Sequence, residues 1–193
     1  MSATTGTLAL TFTSRTLKTE NTWALQAVLI LLGSLFVGLM AQISIPLPFT
    51  PVPITGQTLG VVLVGASLGS RRGLASVALY LLEGIAGMPV FAAASFGATG
   101  GYLIGFLPAA YLTGWLAERG QDRKVSTAWW VFLAGQSVVF LIGVPWLALY
   151  VGGFKLAVYA GLLPFIPGEI VKTAIAAGLL PAAWRLVRGF DQN

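Results

Sequence analysis

Three charged side chains interrupt stretches that are otherwise apolar: Glu83, Glu169 and Lys172. Charged groups inside a long apolar stretch are costly and usually face a cavity or a partner. Glu169 and Lys172 are spaced i, i+3, so on a helix they share one face. Pro167 suits the first turn of such a helix, and Gly168 lets another group approach the backbone closely. The carboxylate, the ammonium group and the free N–H groups of a helix start predict a site for a polar ligand.

An ion pair with a purely structural role is the alternative interpretation of Glu169 and Lys172. An interior ion pair is weak evidence for stability, because desolvation offsets the attraction between the charges. A binding role is therefore the better motivated interpretation of this pair. Glu83 is also a candidate binding residue, although it lies near the predicted external end of its apolar stretch and could simply reach water.

Other polar and aromatic side chains are candidates for the same site. Gln57 begins an apolar stretch, where its amide can both donate and accept, or can simply be a polar residue at a helix start. Phe91 and Tyr102 flank an uncharged connection and could cover an apolar ligand, or could belong to an aromatic belt at the membrane interface. Ser34 and Gly38 form a small-xxx-small pair, which lets helices pack closely within one chain or against a partner subunit.

Composition excludes most other chemistry. The chain has 193 residues, of which 56% are hydrophobic and 9% are charged, with neither Cys nor His. The sequence therefore lacks the residues for a thiol nucleophile, a Ser-His pair or the usual zinc and haem ligands. It also lacks a phosphate-binding Gly-rich loop and a carboxylate cluster. We expect no catalytic residue, metal or cofactor, and no nucleic acid, because the basic residues lie beside apolar spans.

The positions of the apolar stretches predict an all-α polytopic membrane protein. A soluble domain carries about 25% charged residues, far more than this chain. Residues 1–19 are predicted to be a polar, flexible cytoplasmic tail, and residues 20–190 a single membrane domain. Prolines at 46, 48, 51 and 53 predict an extended connection after the first span. Six transmembrane helices are expected, at about Trp23–Ile45, Ile54–Ser70, Gly73–Gly87, Gly101–Leu116, Thr127–Tyr150 and Pro164–Val187.

The basic residues orient these spans. With the N-terminus inside, nine Lys and Arg residues lie on the cytoplasmic side and only Lys155 lies outside. This is the positive-inside pattern of a multi-pass protein of the inner (plasma) membrane with both termini in the cytoplasm. Glu169 and Lys172 then lie near the external end of the sixth span. The nine inside residues are Arg15, Lys18, Arg71, Arg72, Arg119, Arg123, Lys124, Arg185 and Arg188.

Five short motifs occur together, in order, between residues 46 and 173. They are PVPITGQTL at 51–59, LGSRRG at 68–73, GMPVF at 87–91, TGGY at 99–102 and PGEIVK at 167–172. In combination they resemble the BioY family, the biotin-binding S-components of energy-coupling factor (ECF) vitamin transporters. The two short predicted spans, the second and third, also suit that fold.

The resemblance implies a function and a set of partners. It implies capture of biotin from outside, with an ECF transmembrane coupling subunit and two cytoplasmic ATPases that power uptake. By position, Glu169 and Lys172 match the acidic residue and the lysine that bind biotin, and the face with Ser34 and Gly38 resembles the partner-docking face. The full set of predicted substrate-binding residues is Gln57, Glu83, Phe91, Thr99, Tyr102, Glu169 and Lys172.

The sequence departs from the family pattern at two places. Position 169 is Glu where Asp is expected, and residues 92–98 are short and carry no basic residue. An S-component for a different vitamin is therefore an alternative function. A stand-alone biotin facilitator and an intramembrane enzyme are further alternatives, the last disfavoured by the absence of His, Cys and carboxylate clusters.

Overall fold

Apolar sequence in a membrane must satisfy its backbone hydrogen bonds within the segment, and helices do this. The computed structural model describes residues 6–16, 22–92 and 96–189, and most of them are helical. The helices are α1 (Leu8–Thr16), α2 (Trp23–Gln42), α3 (Gln57–Leu68), α4 (Ser70–Ile85), α5 (Gly100–Glu118), α6 (Val125–Val151), α7 (Phe154–Gly161) and α8 (Ile166–Gly189). Two short strands, β1 (Ser44–Ile45) and β2 (Ile54–Thr55), pair in antiparallel fashion.

In the part of the chain that the structure describes, three helical segments are long and apolar enough to cross a membrane: Trp23–Gln42, Val125–Val151 and Phe154–Val187. They place the chain among membrane proteins. By contrast, α3 has 12 residues and is about 18 Å long at 1.5 Å per residue, which is shorter than a typical hydrocarbon core. A helix this short ends inside the protein, so its first residues can line a cavity.

The proline-rich segment predicted to be extended lies between the two strands. The first predicted span, Trp23–Ile45, is helical only to Gln42, after which Ser44 pairs with Thr55 and Ile45 with Ile54. The backbone N–H of Gly56 also donates to the carbonyl of Ile43, at 2.9 Å. This ribbon brings the start of α3 against the end of α2.

The boundary between the second and third predicted spans lies at Gly69 rather than at Arg71 and Arg72. Gly69 has a φ of +91°, a left-handed conformation that favours glycine. Both arginines then fall in the first turn of α4. The Glu118 carboxylate accepts from the backbone N–H of Ser70 at 2.8 Å and from its hydroxyl at 2.9 Å, which satisfies the start of α4.

Two segments predicted to be irregular contain helices. Within the predicted N-terminal tail, α1 packs against α3 and α8, and Thr7, Thr11 and Thr13 are buried. Within the connection 151–163, α7 packs against α6. Both helices are shorter than ten residues, so their apolar content alone does not signal a membrane span.

Glycines allow the central helices to pack closely. A Cβ at Gly73 of α4 would lie 2.7 Å from the Cα of Gly65 in α3, closer than atoms can approach. A Cβ at Gly114 of α5 would overlap the backbone of Gly69 and Ser70. Small residues at such crossings let backbones approach, which is how membrane helices gain packing energy.

We predict that Gly114→Ala destabilises the fold by about 1–3 kcal/mol, the usual range for overpacking. The reason is that the new methyl group meets backbone, which cannot rotate away. Gly178→Ala is the matched control, because nothing lies within 4 Å of a Cβ built there. Thermal unfolding in detergent should give a lower midpoint for Gly114→Ala and an unchanged or slightly higher one for Gly178→Ala. Equal midpoints would contradict this account of the packing.

Candidate functional site

A small cavity of about 50 Å³ lies where the starts of α3, α5 and α8 converge beneath the ribbon and the connection before α5. Ligand pockets usually have several hundred Å³, so this cavity must widen to admit an organic ligand. Its wall is mostly apolar, with polar groups on one side. The lining residues are Val52, Pro53, Thr55, Gln57, Thr58, Phe91, Ala92, Thr99, Tyr102, Leu103, Phe106, Phe140, Phe165, Glu169 and Lys172.

A hydrogen-bonded group of three side chains forms the polar side of this cavity. The Lys172 ammonium lies 2.5 Å from Glu169 Oε1 and donates to Thr58 Oγ1 at 2.9 Å. The Thr58 hydroxyl in turn donates to Glu169 Oε1 at 3.0 Å. Both charged side chains are largely buried, with 12% of Lys172 and 9% of Glu169 exposed. The group therefore offers a ligand both a strong donor and a strong acceptor, with no net charge.

The start of α8 places these side chains. The helix begins at Ile166, so Glu169 falls in its first turn, where the helix dipole favours a negative charge. Lys172 follows one turn later on the same face. Thr58 lies in the first turn of α3, and its hydrogen bond to Glu169 joins α3 to α8 across 111 residues of sequence.

Gln57 is held beside this group by two hydrogen bonds. Its Nε2 donates to the hydroxyl of Tyr80 at 2.6 Å, and its Oε1 accepts from Thr55 Oγ1 at 2.9 Å. Tyr80 is fully buried, and its ring makes an edge contact with Phe91, with centroids 5.4 Å apart. Tyr80 therefore positions both Gln57 and an aromatic wall residue.

Aromatic rings also line this cavity. Tyr102 makes an edge contact with Phe140 at 5.9 Å between centroids, and Phe140 makes another with Phe165 at 6.2 Å. The Tyr102 hydroxyl donates to the carbonyl of Gly161 at 2.8 Å, which fixes the ring against the end of α7. These rings provide an apolar surface in the same cavity as the polar group.

The family model for the BioY family matches residues 11–189. The chain belongs to the BioY family. A protein from Rhizobium etli named "Biotin transporter BioY" is 39% identical over 154 residues, covering 72% of this chain and 81% of that protein. A "Probable biotin transporter BioY" from Pyrococcus horikoshii is 42% identical over 154 residues, covering 75% and 89%.

A solved structure shares the fold of this BioY chain. It is the crystal structure of the S-component for biotin from an ECF-type ABC transporter, with a TM-score of 0.75 and 25% sequence identity. The alignment covers 86% of this chain and 94% of that one. The resemblance to BioY proteins and the expected S-component-like architecture are thereby confirmed.

Six of the seven binding residues predicted from the sequence line this cavity. The seventh, Glu83, lies elsewhere: its Oε2 accepts from Ser34 Oγ at 2.5 Å, between α4 and α2. Glu83 is therefore an interhelical hydrogen-bond partner of α2 and is not among the described residues that line the cavity. The six that line the cavity are Gln57, Phe91, Thr99, Tyr102, Glu169 and Lys172.

The predicted partner-docking residues face the interior of this chain. Ser34 is fully buried, and a Cβ at Gly38 would lie 3.5 Å from the side chain of Val90. At the neighbouring Gly33, a Cβ would meet Ser76 of α4 at 2.5 Å. The structure thus places the small residues of α2 against α4, which agrees with the alternative that they pack within one chain. It does not leave them accessible to a partner subunit.

Four residues that contribute to the site are absent from the predicted binding set: Thr58, Tyr80, Gln136 and Thr173. The Thr173 hydroxyl lies 2.6 Å from Gln136 Oε1 and 2.8 Å from the carbonyl of Glu169, and so ties α6 to α8. The sequence marks Gln136 among them, and only weakly: it is the one amide side chain within the predicted fifth span, Thr127–Tyr150.

We predict that Lys172→Met destabilises the unliganded protein by about 3–5 kcal/mol, since it leaves the Glu169 carboxylate buried and unpaired. The double variant Glu169→Gln/Lys172→Met should recover most of that loss, because no charge remains. Thermal unfolding in detergent measures both, with Lys155→Met on the exposed face of α7 as control. Additive losses in the double variant would show that the two side chains are not coupled.

Proposed function

We propose that this chain is the substrate-binding membrane subunit of a biotin uptake system. The observation that carries the proposal is the buried group Glu169, Lys172 and Thr58 at one side of an aromatic-walled cavity, in a chain of the BioY family. The related proteins named as biotin transporters and the S-component for biotin support the choice of ligand.

The chemistry of biotin matches the two walls of the cavity. Its ureido ring has two N–H donors and one strong acceptor oxygen, next to an apolar bicycle. The Glu169 carboxylate accepts from a ureido N–H, and the Lys172 ammonium donates to the ureido oxygen. Phe91 and Tyr102 cover the apolar rings. A buried donor and acceptor reject analogues that lack these groups, because the protein atoms would be left unpaired.

Binding requires the cavity to widen, and the wall at Phe91 is the side that can yield. Phe91 precedes the connection to α5 and is only partly buried. Tyr102 and Phe140, by contrast, lie within helices of 19 and 27 residues. Outward movement of Phe91 lengthens the cavity without breaking helix hydrogen bonds.

The carboxylate tail of biotin lies toward the mouth of the cavity in this proposal. Lys172 is the one cation among the described residues that line the cavity, and it is already paired with Glu169. Residues 92–98 add no basic side chain. A carboxylate without a cationic partner remains solvated, because its desolvation inside the cavity would be costly.

The remaining parts of the proposal concern topology and partners. The chain crosses the plasma membrane six times, with both termini in the cytoplasm and the cavity near the external surface. An ECF transmembrane coupling subunit and two cytoplasmic ATPases energise release to the inside. Since Ser34 and Gly38 are buried, the coupling subunit contacts the exposed apolar face of α2, which includes Leu32, Leu35 and Leu39.

We predict saturable binding of labelled biotin to the purified full-length chain. Lys172→Ala should weaken binding by about 10- to 100-fold, because a hydrogen bond to a charged group contributes about 1.5–3 kcal/mol. Two variants outside the cavity serve as controls and should bind as the wild type does. They are Lys155→Ala on α7 and Glu83→Gln between α4 and α2.

Two results would overturn the proposal. One is the absence of saturable biotin binding to a folded sample that binds another vitamin, which would support the alternative S-component function. The other is unchanged affinity in Lys172→Ala, which would remove the polar group from the site. Uptake by cells that express the chain without ATPase partners would support a stand-alone facilitator.

A further inference from the structure

A second and larger cavity, of about 400 Å³, lies between α6, α7 and α8. We call it the lateral groove. Its rim carries apolar side chains on the outer surface: Leu141 is 73% exposed, Phe154 61% and Ile170 51%. Because α6 and α8 belong to membrane-spanning segments, the lateral groove opens toward lipid and not toward water.

Two buried polar atoms at the lateral groove have no hydrogen-bond partner in the part of the chain that the structure describes. They are Nε2 of Gln136 and Oε2 of Glu169. Both residues line the groove, and they are only 2% and 7% exposed. One atom is a donor and the other an acceptor, and leaving both unpaired in a membrane is costly.

The neighbouring hydrogen bonds fix which atoms remain free. Thr173 Oγ1 holds Oε1 of Gln136, so the amide presents Nε2 on its other side. Lys172 and Thr58 hold Oε1 of Glu169 at the first cavity, so Oε2 is left over. Glu169 lines both cavities, and its Oε1 is bonded whereas its Oε2 is unpaired.

These atoms select the chemistry of an occupant. The Glu169 charge is already balanced by Lys172, so a neutral group fits better than a cation or an anion. An ester or ether oxygen can accept from Gln136 but cannot donate to Glu169. A hydroxyl can do both. Water can also do both, but it cannot fill a groove whose other walls are nearly all apolar.

We propose that the lateral groove binds a neutral lipid that carries a free hydroxyl. The hydroxyl accepts from Gln136 Nε2 and donates to Glu169 Oε2, while the alkyl chain lies between α6 and α8 toward the exposed Ile170. The lateral groove shares Glu169 and Phe140 with the biotin cavity, but the proposed occupant does not depend on the identity of the vitamin.

Photolabelling tests the proposal. The purified full-length chain in nanodiscs is exposed to a long-chain alcohol that carries a diazirine, and the labelled peptides are identified by mass spectrometry. We expect labelling of the groove walls, including residues 154–170. Excess 1-hexadecanol should compete, whereas hexadecyl methyl ether, which cannot donate, should not. Competition by the ether equal to that by the alcohol would overturn the proposal.

Variants separate the polar site from general contact with lipid. Gln136→Leu should reduce labelling by about tenfold, as expected for loss of a buried hydrogen bond. Ser137→Ala is the matched control, because Ser137 lines the same groove but donates to the carbonyl of Leu133 at 2.8 Å. It should be labelled as the wild type is.

A second variant addresses the risk that Gln136→Leu disturbs folding. Ile170→Trp fills the groove mouth without touching the buried hydrogen bonds, and should also suppress labelling. If Ile170→Trp were labelled as strongly as the wild type, the proposal would be overturned. Binding of labelled biotin, measured on the same samples, reports separately on the biotin cavity, so failure of one proposal is distinguishable from failure of the other.

Discussion

The hydrogen-bonded group of Glu169, Lys172 and Thr58 is the constraint on which the rest of the structure depends. Two opposite charges within a few ångströms are held in an environment poor in water, where neither could remain alone. Thr58 brings α3 to the start of α8, and Thr173 brings α6 to the same turn. Three helices distant in sequence therefore meet around Glu169: α3 bonds its carboxylate, and α6 is joined through Thr173 to its backbone carbonyl.

The helices around this group are positioned by close packing. The short α3 lies against α4 and α5 because glycines at the crossings carry no side chain, and the left-handed Gly69 turns the chain between α3 and α4. The β1–β2 ribbon ends α2 early and sets the start of α3. Rigid backbone crossings of this kind hold Thr58 within reach of Glu169 without a long loop.

Part of this arrangement is predictable from the sequence, and the reasons are physical. Glu169 and Lys172 stand out because charge in an apolar stretch is rare, and their spacing of three residues predicts one helix face. Polar and aromatic residues beside apolar stretches add Gln57, Phe91 and Tyr102, and a family motif adds Thr99. Glu83 carries the same charge signal but bonds to Ser34 instead, because sequence does not tell which neighbour a helix face meets. Ser34 and Gly38 are ambiguous for the same reason. Tyr80, Gln136 and Thr173 depend on contacts between distant helices, and no local pattern marks them.

The most direct test of the account is an experimental structure of the full-length chain with biotin bound. We predict a ureido N–H within hydrogen-bonding distance of the Glu169 carboxylate, the ureido oxygen beside Lys172, and the bicycle between Phe91 and Tyr102. Biotin bound elsewhere, with the pair of Glu169 and Lys172 making no contact to it, would contradict the central claim.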